Sequence, residues 1–328
     1  MRPKILIARA IFPEVVARLS ERFDVEANQE DRIFSQSELL ERVRDKTAIF
    51  VTGSERITAE VIAHARHLKV VCNMAVGYNN IDVDAASNAK VMVTNTPDVL
   101  NETTADFAWA LLMATARRVT ESEHWLRAGH WKQWSYDAFL GADVHGATLG
   151  IIGMGRIGQA IARRSMGFDM RVLYHNRSRL SVDREAYANH ASYRSKEALL
   201  RETDHVVLVL PYSPQSHHAI AAAELALMKP SATLINIARG GIVDDAALIK
   251  ALECGQIAAA GLDVYENEPA FDRNFLNLKN VVLTPHIGSA TEPTRKAMAN
   301  CAATNLIAAL EGDVPPNLIN ALQPVSGA

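Results

Sequence analysis

Apolar and polar positions along the chain follow two alternating rhythms. Short runs rich in Val and Ile are separated by longer stretches in which apolar residues recur every three or four positions. The first rhythm predicts buried strands and the second amphipathic helices. Strands are predicted at residues 4–8, 48–51, 70–73 and 91–94, with helical stretches such as 14–22 and 37–44 beside them. A polar, glycine-containing segment at 135–146 precedes a second series at 148–152, 171–174, 206–210, 233–237, 259–263 and 281–283. Alternation sustained this far predicts parallel α/β architecture, and the second series suffices for a doubly wound nucleotide-binding sheet.

An alanine-rich stretch at 101–128 lies between the two series, and its polar start Asn101-Glu102-Thr103-Thr104 suits a helix cap. A last helix is predicted at 291–311, ending at Gly312 before Pro315-Pro316. The first series is one strand short of a comfortable domain, so this helix is expected to return to it. The predicted organisation is therefore a discontinuous domain, residues 1–100 and 287–328, around a second domain at 101–286.

The length of 328 residues fits two domains, and 48% apolar with 22% charged residues is ordinary for a globular protein. A net charge of −3 without a basic stretch argues against nucleic acid as a partner. No apolar run approaches the roughly 20 residues that a membrane-spanning helix needs. Arg9 interrupts the apolar start, which reads as a strand rather than a signal peptide. Cys72, Cys254 and Cys301 are widely spaced, so reduced thiols in a cytoplasmic protein are expected, with no metal site.

Candidate chemistry starts at Gly153-Met154-Gly155-Arg156-Ile157-Gly158, between a predicted strand and a predicted helix. In this setting Gly153 allows the tight turn, Gly155 lets backbone approach a pyrophosphate, and Gly158 lets helix pack on strand. The N–H groups at the helix start, Arg156 and Ile157 among them, then face the anion. The next predicted strand runs into Asn176-Arg177-Ser178-Arg179, where an NAD-selective site would carry a carboxylate for the ribose. Guanidinium groups there suit a 2′-phosphate, so NADP(H) is expected ahead of NAD(H).

Three polar residues follow three successive predicted strands: Arg239, Glu268 and His286. The carboxyl ends of strands form the ligand edge of such sheets, which places all three on one rim. Reduction of a ketone needs a proton donor beside the oxygen, and histidine titrates nearest neutrality. A neighbouring carboxylate fixes the ring and favours the imidazolium, while arginine holds a substrate carboxylate with two bonds.

With these pieces on one chain, the sequence resembles the D-2-hydroxyacid dehydrogenase family over nearly its full length. The matching segments are Val76-Gly77-Tyr78-Asn79-Asn80-Ile81-Asp82, the glycine fingerprint, Ile237-Ala238-Arg239-Gly240, Gly261-Leu262-Asp263-Val264 with Glu268-Pro269, and Pro285-His286-Ile287-Gly288. The resemblance implies that His286 is the proton donor, Glu268 its partner and Arg239 the carboxylate ligand. It implies that Val76 and Gly77 grip the substrate through backbone amides, and that Pro211, Ile237, Ala238, Asp263 and Gly288 lie along the cofactor. It further implies two Rossmann-like domains, a flavodoxin-like substrate domain and a doubly wound dinucleotide-binding domain, closing on hinges near 96–100 and 287–291. A homodimer through the dinucleotide-binding domains is also implied. The chain is most similar to the glyoxylate/hydroxypyruvate and 2-ketogluconate reductase branch, so a small 2-oxo acid is the expected substrate. In that branch a segment like that bearing Trp131 and Trp134 reaches the partner subunit; packing on a helix end or in a dimer core is equally open.

Two alternatives share the scaffold. C-terminal-binding corepressors bind dinucleotides with the same Arg-Glu-His set, but carry long tails for which the stretch after Pro316 leaves little room. Formate dehydrogenases resemble the family with glutamine in place of Glu268, because formate needs no proton delivered.

Overall fold

The computed structural model describes residues 2–320. The chain divides into two compact units, one reaching to Leu100 and resuming at Thr291, the other spanning Asn101–Ala290.

The first unit is built on five parallel strands: β1 (Lys4–Ile7), β2 (Asp24–Ala27), β3 (Ala48–Val51), β4 (Val70–Asn73) and β5 (Met92–Thr94), in the order β2-β1-β3-β4-β5. Strands β3 and β4 are buried along their whole length, as continuous apolar runs covered on both faces should be. Strand β2 supplies the element that the sequence pattern lacked. It lies at the sheet edge, pairs only with β1, and carries Asp24 and Glu26 among four residues, so its pattern is weak. The sheet is thus complete without the final helix. That helix, Glu292–Glu311, instead covers one face, laying Ala299, Ala302, Ala303 and Leu306 on Ile5, Phe50 and Cys72. Thr291 caps its start and Gly312, at φ 96°, ends it.

The second unit carries seven parallel strands: β6 (Thr148–Ile152), β7 (Arg171–His175), β8 (Ser192–Tyr193), β9 (His205–Leu208), β10 (Thr233–Asn236), β11 (Ala259–Leu262) and β12 (Val281–Leu283). Their order, β12-β11-β10-β9-β6-β7-β8, reverses direction between β6 and β9, and a doubly wound sheet binds ligands at such a switch point. The predicted helix 101–128 is broken into Asn101–Ala116 and Val119–Arg127. Arg118 adopts left-handed backbone at φ 52° and forks onto Glu121 at 2.8 and 2.9 Å. The Ala116 carbonyl accepts the amide of Ala142 at 2.8 Å, so a distant segment takes the bond that a further helical turn would have used.

The return to the first unit comes at Thr291 rather than at residue 287. Asp263 holds the amides of Ile287 and Gly288 at 2.8 and 2.9 Å, which keeps those residues with the second unit. Residues 1 and 321–328, counted in the expected first domain, lie outside the described residues.

Candidate active site

Strands β10, β11 and β12 are neighbours in the second unit, and Arg239, Glu268 and His286 stand on the loops that leave their carboxyl ends. Asn236, buried at the end of β10, turns the chain by accepting the Ala238 amide at 3.1 Å. Arg239 follows, its Nη1 donating to the Ala238 carbonyl at 2.7 Å. Burial lowers its pKa and the nearby Glu268 carboxylate opposes that shift, so a desolvated cation faces the rim. Gly240 lies flush on the next loop: a Cβ there would overlap the Tyr265 carbonyl and stand 2.9 Å from the Glu266 nitrogen. Only glycine allows the loops of Arg239 and Glu268 to touch in this way.

The turn Tyr265–Glu268 orients its own carboxylate. Glu268 Oε1 accepts the Tyr265 amide at 2.8 Å, and Oε2 meets His286 Nδ1 at 2.8 Å. His286 is held with left-handed backbone at φ 54°, a state uncommon outside glycine. Below it the buried Asp263 accepts Thr284 Oγ1 at 2.8 Å as well as the Ile287 and Gly288 amides, which fixes the turn on which the histidine rides. Burial raises the Asp263 pKa despite these three bonds. The Tyr265 hydroxyl shares its one proton between the Thr284 and Leu262 carbonyls, 2.9 and 3.0 Å away, and ties the two loops together. His286 Nε2 has no partner among the described residues, and its side chain is 48% exposed. The imidazole therefore presents one nitrogen to a carboxylate and the other outward, the arrangement of a proton donor.

Asp245 stands behind the same loops, accepting the Glu266 amide at 3.0 Å. Burial, with Glu266, Asp272 and Asp244 nearby, pushes its carboxyl up to about 6. The folded chain then holds a proton that the unfolded chain releases, so stability falls as pH climbs from about 4 through 6. Asp245→Asn keeps an acceptor for Glu266 without the charge. It is expected to raise unfolding free energy by ~2 kcal/mol at about pH 7.5 and hardly at all at about pH 4. Urea unfolding at both values checks this, and an equal difference at the two would contradict it.

The glycine segment sits at the switch point. Gly153, at φ 106°, brings β6 to within contact of the next strand's exit; a Cβ there would lie 2.7 Å from the Val209 carbonyl carbon. At Gly158 a Cβ would press on the Gly153 carbonyl oxygen, whereas at Gly155 it would meet open space. No side chain caps the start of helix Arg156–Arg164, where Arg156 and Ile157 open the first turn. Pro211 follows β9 on the same edge, its carbonyl accepting Ser216 Oγ at 3.0 Å. Thr104, which the sequence marks only as part of a helix start, buries an Oγ1 with no partner among the described residues, and its methyl lies 3.7 Å from where a Gly288 Cβ would stand. An open cradle beside an orphaned hydroxyl on the Asp263–Gly288 rim fits a nicotinamide dinucleotide.

Arg179 forks onto Glu185 at 2.8 and 2.9 Å, and Asn176 turns back to the Met154 amide at 2.7 Å. Arg177 and Ser178 are exposed and without partners among the described residues.

In the first unit Val76 and Gly77 form a turn after β4. Asn73 Nδ2 donates to the Gly77 carbonyl at 2.8 Å and Asn95 Nδ2 to the Val76 carbonyl at 2.9 Å, while neither of the two amides is bonded among the described residues. The stretch Asn73-Met74-Ala75 departs from the family pattern and is expected from the sequence to shape the pocket; Asn95 carries no signal beyond its place in the chain. Trp131 and Trp134 are 60% and 79% exposed. A cavity of about 380 Å³, lined by Thr115, Arg118, Leu140, Thr233 and Val281 among others, opens at the opposite, amino-terminal edge of the second sheet and takes no part in this site.

Residues 109–288 match the profile of the D-isomer specific 2-hydroxyacid dehydrogenase, NAD binding domain. A glyoxylate reductase of Thermococcus kodakarensis is 52% identical over 324 residues, 98% of this chain and 97% of that protein. Among solved structures, a D-isomer specific 2-hydroxyacid dehydrogenase from Polaromonas superposes with a TM-score of 0.89 at 40% identity, covering 98% of this chain and all of that one. An NADPH-dependent glyoxylate/hydroxypyruvate reductase from Sinorhizobium meliloti, solved with NADP and malonate, gives 0.87 at 34% identity, with 98% of each chain covered.

Proposed function

The chain belongs to the D-isomer specific 2-hydroxyacid dehydrogenase family of NAD(P)-dependent oxidoreductases, and from that premise we propose that it reduces glyoxylate or a close 2-oxo acid with NADPH. The observation that carries this reading is the 2.8 Å contact between His286 Nδ1 and Glu268, with Nε2 left outward on the rim that also bears Arg239.

A bound nicotinamide supplies the reducing equivalent as hydride. What the chain supplies is position and charge. Arg239 takes the substrate carboxylate with its fork and draws electron density from the adjacent carbonyl. His286 hands the Nε2 proton to the carbonyl oxygen as charge gathers there, and Glu268 compensates the imidazolium beforehand. Val76 and Gly77 are proposed to donate their amides to a substrate carboxylate. Ile237, Ala238, Asp263, Gly288 and Pro211 are proposed to line the cofactor, with its pyrophosphate at Gly153–Gly158.

For the cofactor we propose Arg177 and Ser178 as the 2′-phosphate contacts, because they are the members of that turn left free. Arg177→Ala is expected to lower kcat/KM with NADPH about tenfold and leave NADH little affected, since a charge-assisted bond is lost with one cofactor only. Arg179→Ala, whose guanidinium is already committed, should change the ratio little. Steady-state kinetics with both cofactors decides; a clear NADH preference in the wild type would refute the assignment.

The substrate is tested by following NADPH oxidation against glyoxylate, hydroxypyruvate, pyruvate and 2-ketogluconate. No turnover with any of them would end the proposal. We further propose a homodimer through the second unit, supported by the exposed Trp131, Trp134, Tyr136 and Leu140 on one short segment; a monomer mass by light scattering would oppose it. A cytoplasmic setting suits the three free thiols, and no helix among the described residues is long and apolar enough to cross a membrane.

A further inference from the structure

Glu268 rides on a turn that is clamped from behind by a residue far away in sequence. His218 Nε2 meets Glu266 Oε1 at 2.5 Å, while the backbone of the same Glu266 is held by Asp245. Two residues on, Glu268 makes its contact with His286. His218 is itself fixed. Its amide donates to the Gly241 carbonyl at 2.8 Å, and its ring stacks on His217 at 3.9 Å. Next to it, the Ile220 amide bonds the Ile242 carbonyl at 3.1 Å, and the Asp244 amide bonds Ile220 at 2.9 Å. Three loops on one sheet edge therefore meet at this imidazole: the loop after β9 that begins with Pro211, the loop of Arg239, and the loop of Glu268.

The contact is too exposed to be explained by stability. Side-chain exposures of 35% and 30% put it in the class of surface polar contacts worth about 1 kcal/mol or less. Its location offers a better account. The peptide between Tyr265 and Glu266 is the one pressed on Gly240, so moving Glu266 shifts the turn that sets both Glu268 and the backing of Arg239. Small displacements of reacting groups are costly to rate even where they cost little stability.

We propose that His218 is a positioning residue for the reduction: through Glu266 it holds the turn that aims Glu268 at His286 Nδ1. This rests on the functional reading given above.

The test uses the full-length enzyme and four variants: His218→Ala, His218→Gln, Glu266→Ala and the double alanine. The readouts are the single-turnover rate of NADPH oxidation with saturating glyoxylate, KM for glyoxylate, and NADPH affinity by fluorescence. His218→Ala is expected to lower the single-turnover rate by about tenfold or more, with KM and NADPH affinity close to wild type. Glutamine places a donor near the position of the imidazole Nε2 and should restore most of the rate. Glu266→Ala should match His218→Ala, and the double variant should be no worse than either, as expected for partners in one contact. His218 has left-handed backbone at φ 49°, so its alanine and glutamine variants share one backbone strain and their difference isolates the lost donor; if neither folds, Glu266→Ala carries the comparison. A wild-type rate in His218→Ala and Glu266→Ala would overturn the proposal, as would an equal loss in the alanine and glutamine variants, or a loss confined to NADPH affinity. A wild type that oxidises NADPH with no 2-oxo acid would overturn the functional reading and this one with it; an active wild type with unaffected variants would overturn this one alone.

Discussion

Replacing His286 by asparagine is expected to lower kcat for glyoxylate reduction by about 10²–10⁴, the range that a positioned proton donor contributes. Asparagine is a cleaner choice than alanine because it tolerates the left-handed backbone that His286 adopts at φ 54°, whereas alanine would add strain to the loss of the ring. Its short amide cannot deliver a proton at neutral pH. NADPH affinity should change little, since among the described residues the imidazole's hydrogen bond is to Glu268. Kinetics under single-turnover conditions separates the chemical step from product release. A variant that retained the wild-type rate would remove His286 from the reaction.

Arg239 is the second large effect. Arg239→Lys keeps a positive charge opposite Glu268 but exchanges a planar fork for a single point of contact. A fall of about 10²-fold in kcat/KM for 2-oxo acids is expected, equal to ~3 kcal/mol and in keeping with the loss of one charge-assisted bond and of carbonyl polarisation. The loss should be divided between KM and kcat, because the guanidinium both binds the carboxylate and draws on the carbonyl. An aldehyde without a carboxylate supplies the control. The wild type should reduce it poorly, and Arg239→Lys should reduce it no worse. If the variant lost equally on both substrates, Arg239 would be supporting the loop rather than reading the carboxylate.

These side chains were legible in the sequence because each stands just past a strongly apolar run. A sheet of parallel strands carries such positions to one edge whatever lies between them. The glycine segment was legible for the same reason: strand, turn and helix follow one another without a break. Features that depend on partners far along the chain were not. Strand β2 pairs with β1 through residues that look polar in isolation, because an edge strand needs little burial. The break at Arg118 is made by the segment around Gly141 and Ala142, which nothing in the local alanine-rich pattern announces. The sequence places Arg179 as a phosphate ligand, yet Glu185, six positions on and nearly one turn into the helix Val182–Tyr187, takes its fork. Thr104, Asp245 and the pair His218–Glu266 belong to the site only through folding, and a single chain offers no periodicity that would single them out.

One measurement bears most directly on the account as a whole: a crystal structure of the enzyme with NADP and oxamate, an unreactive mimic of a 2-oxo acid. The expected result has His286 Nε2 within about 2.6–3.2 Å of the oxygen that stands for the substrate carbonyl, and both arms of Arg239 on the carboxylate. Oxamate bound away from these two side chains, or an imidazole swung off Glu268 to face elsewhere, would contradict it.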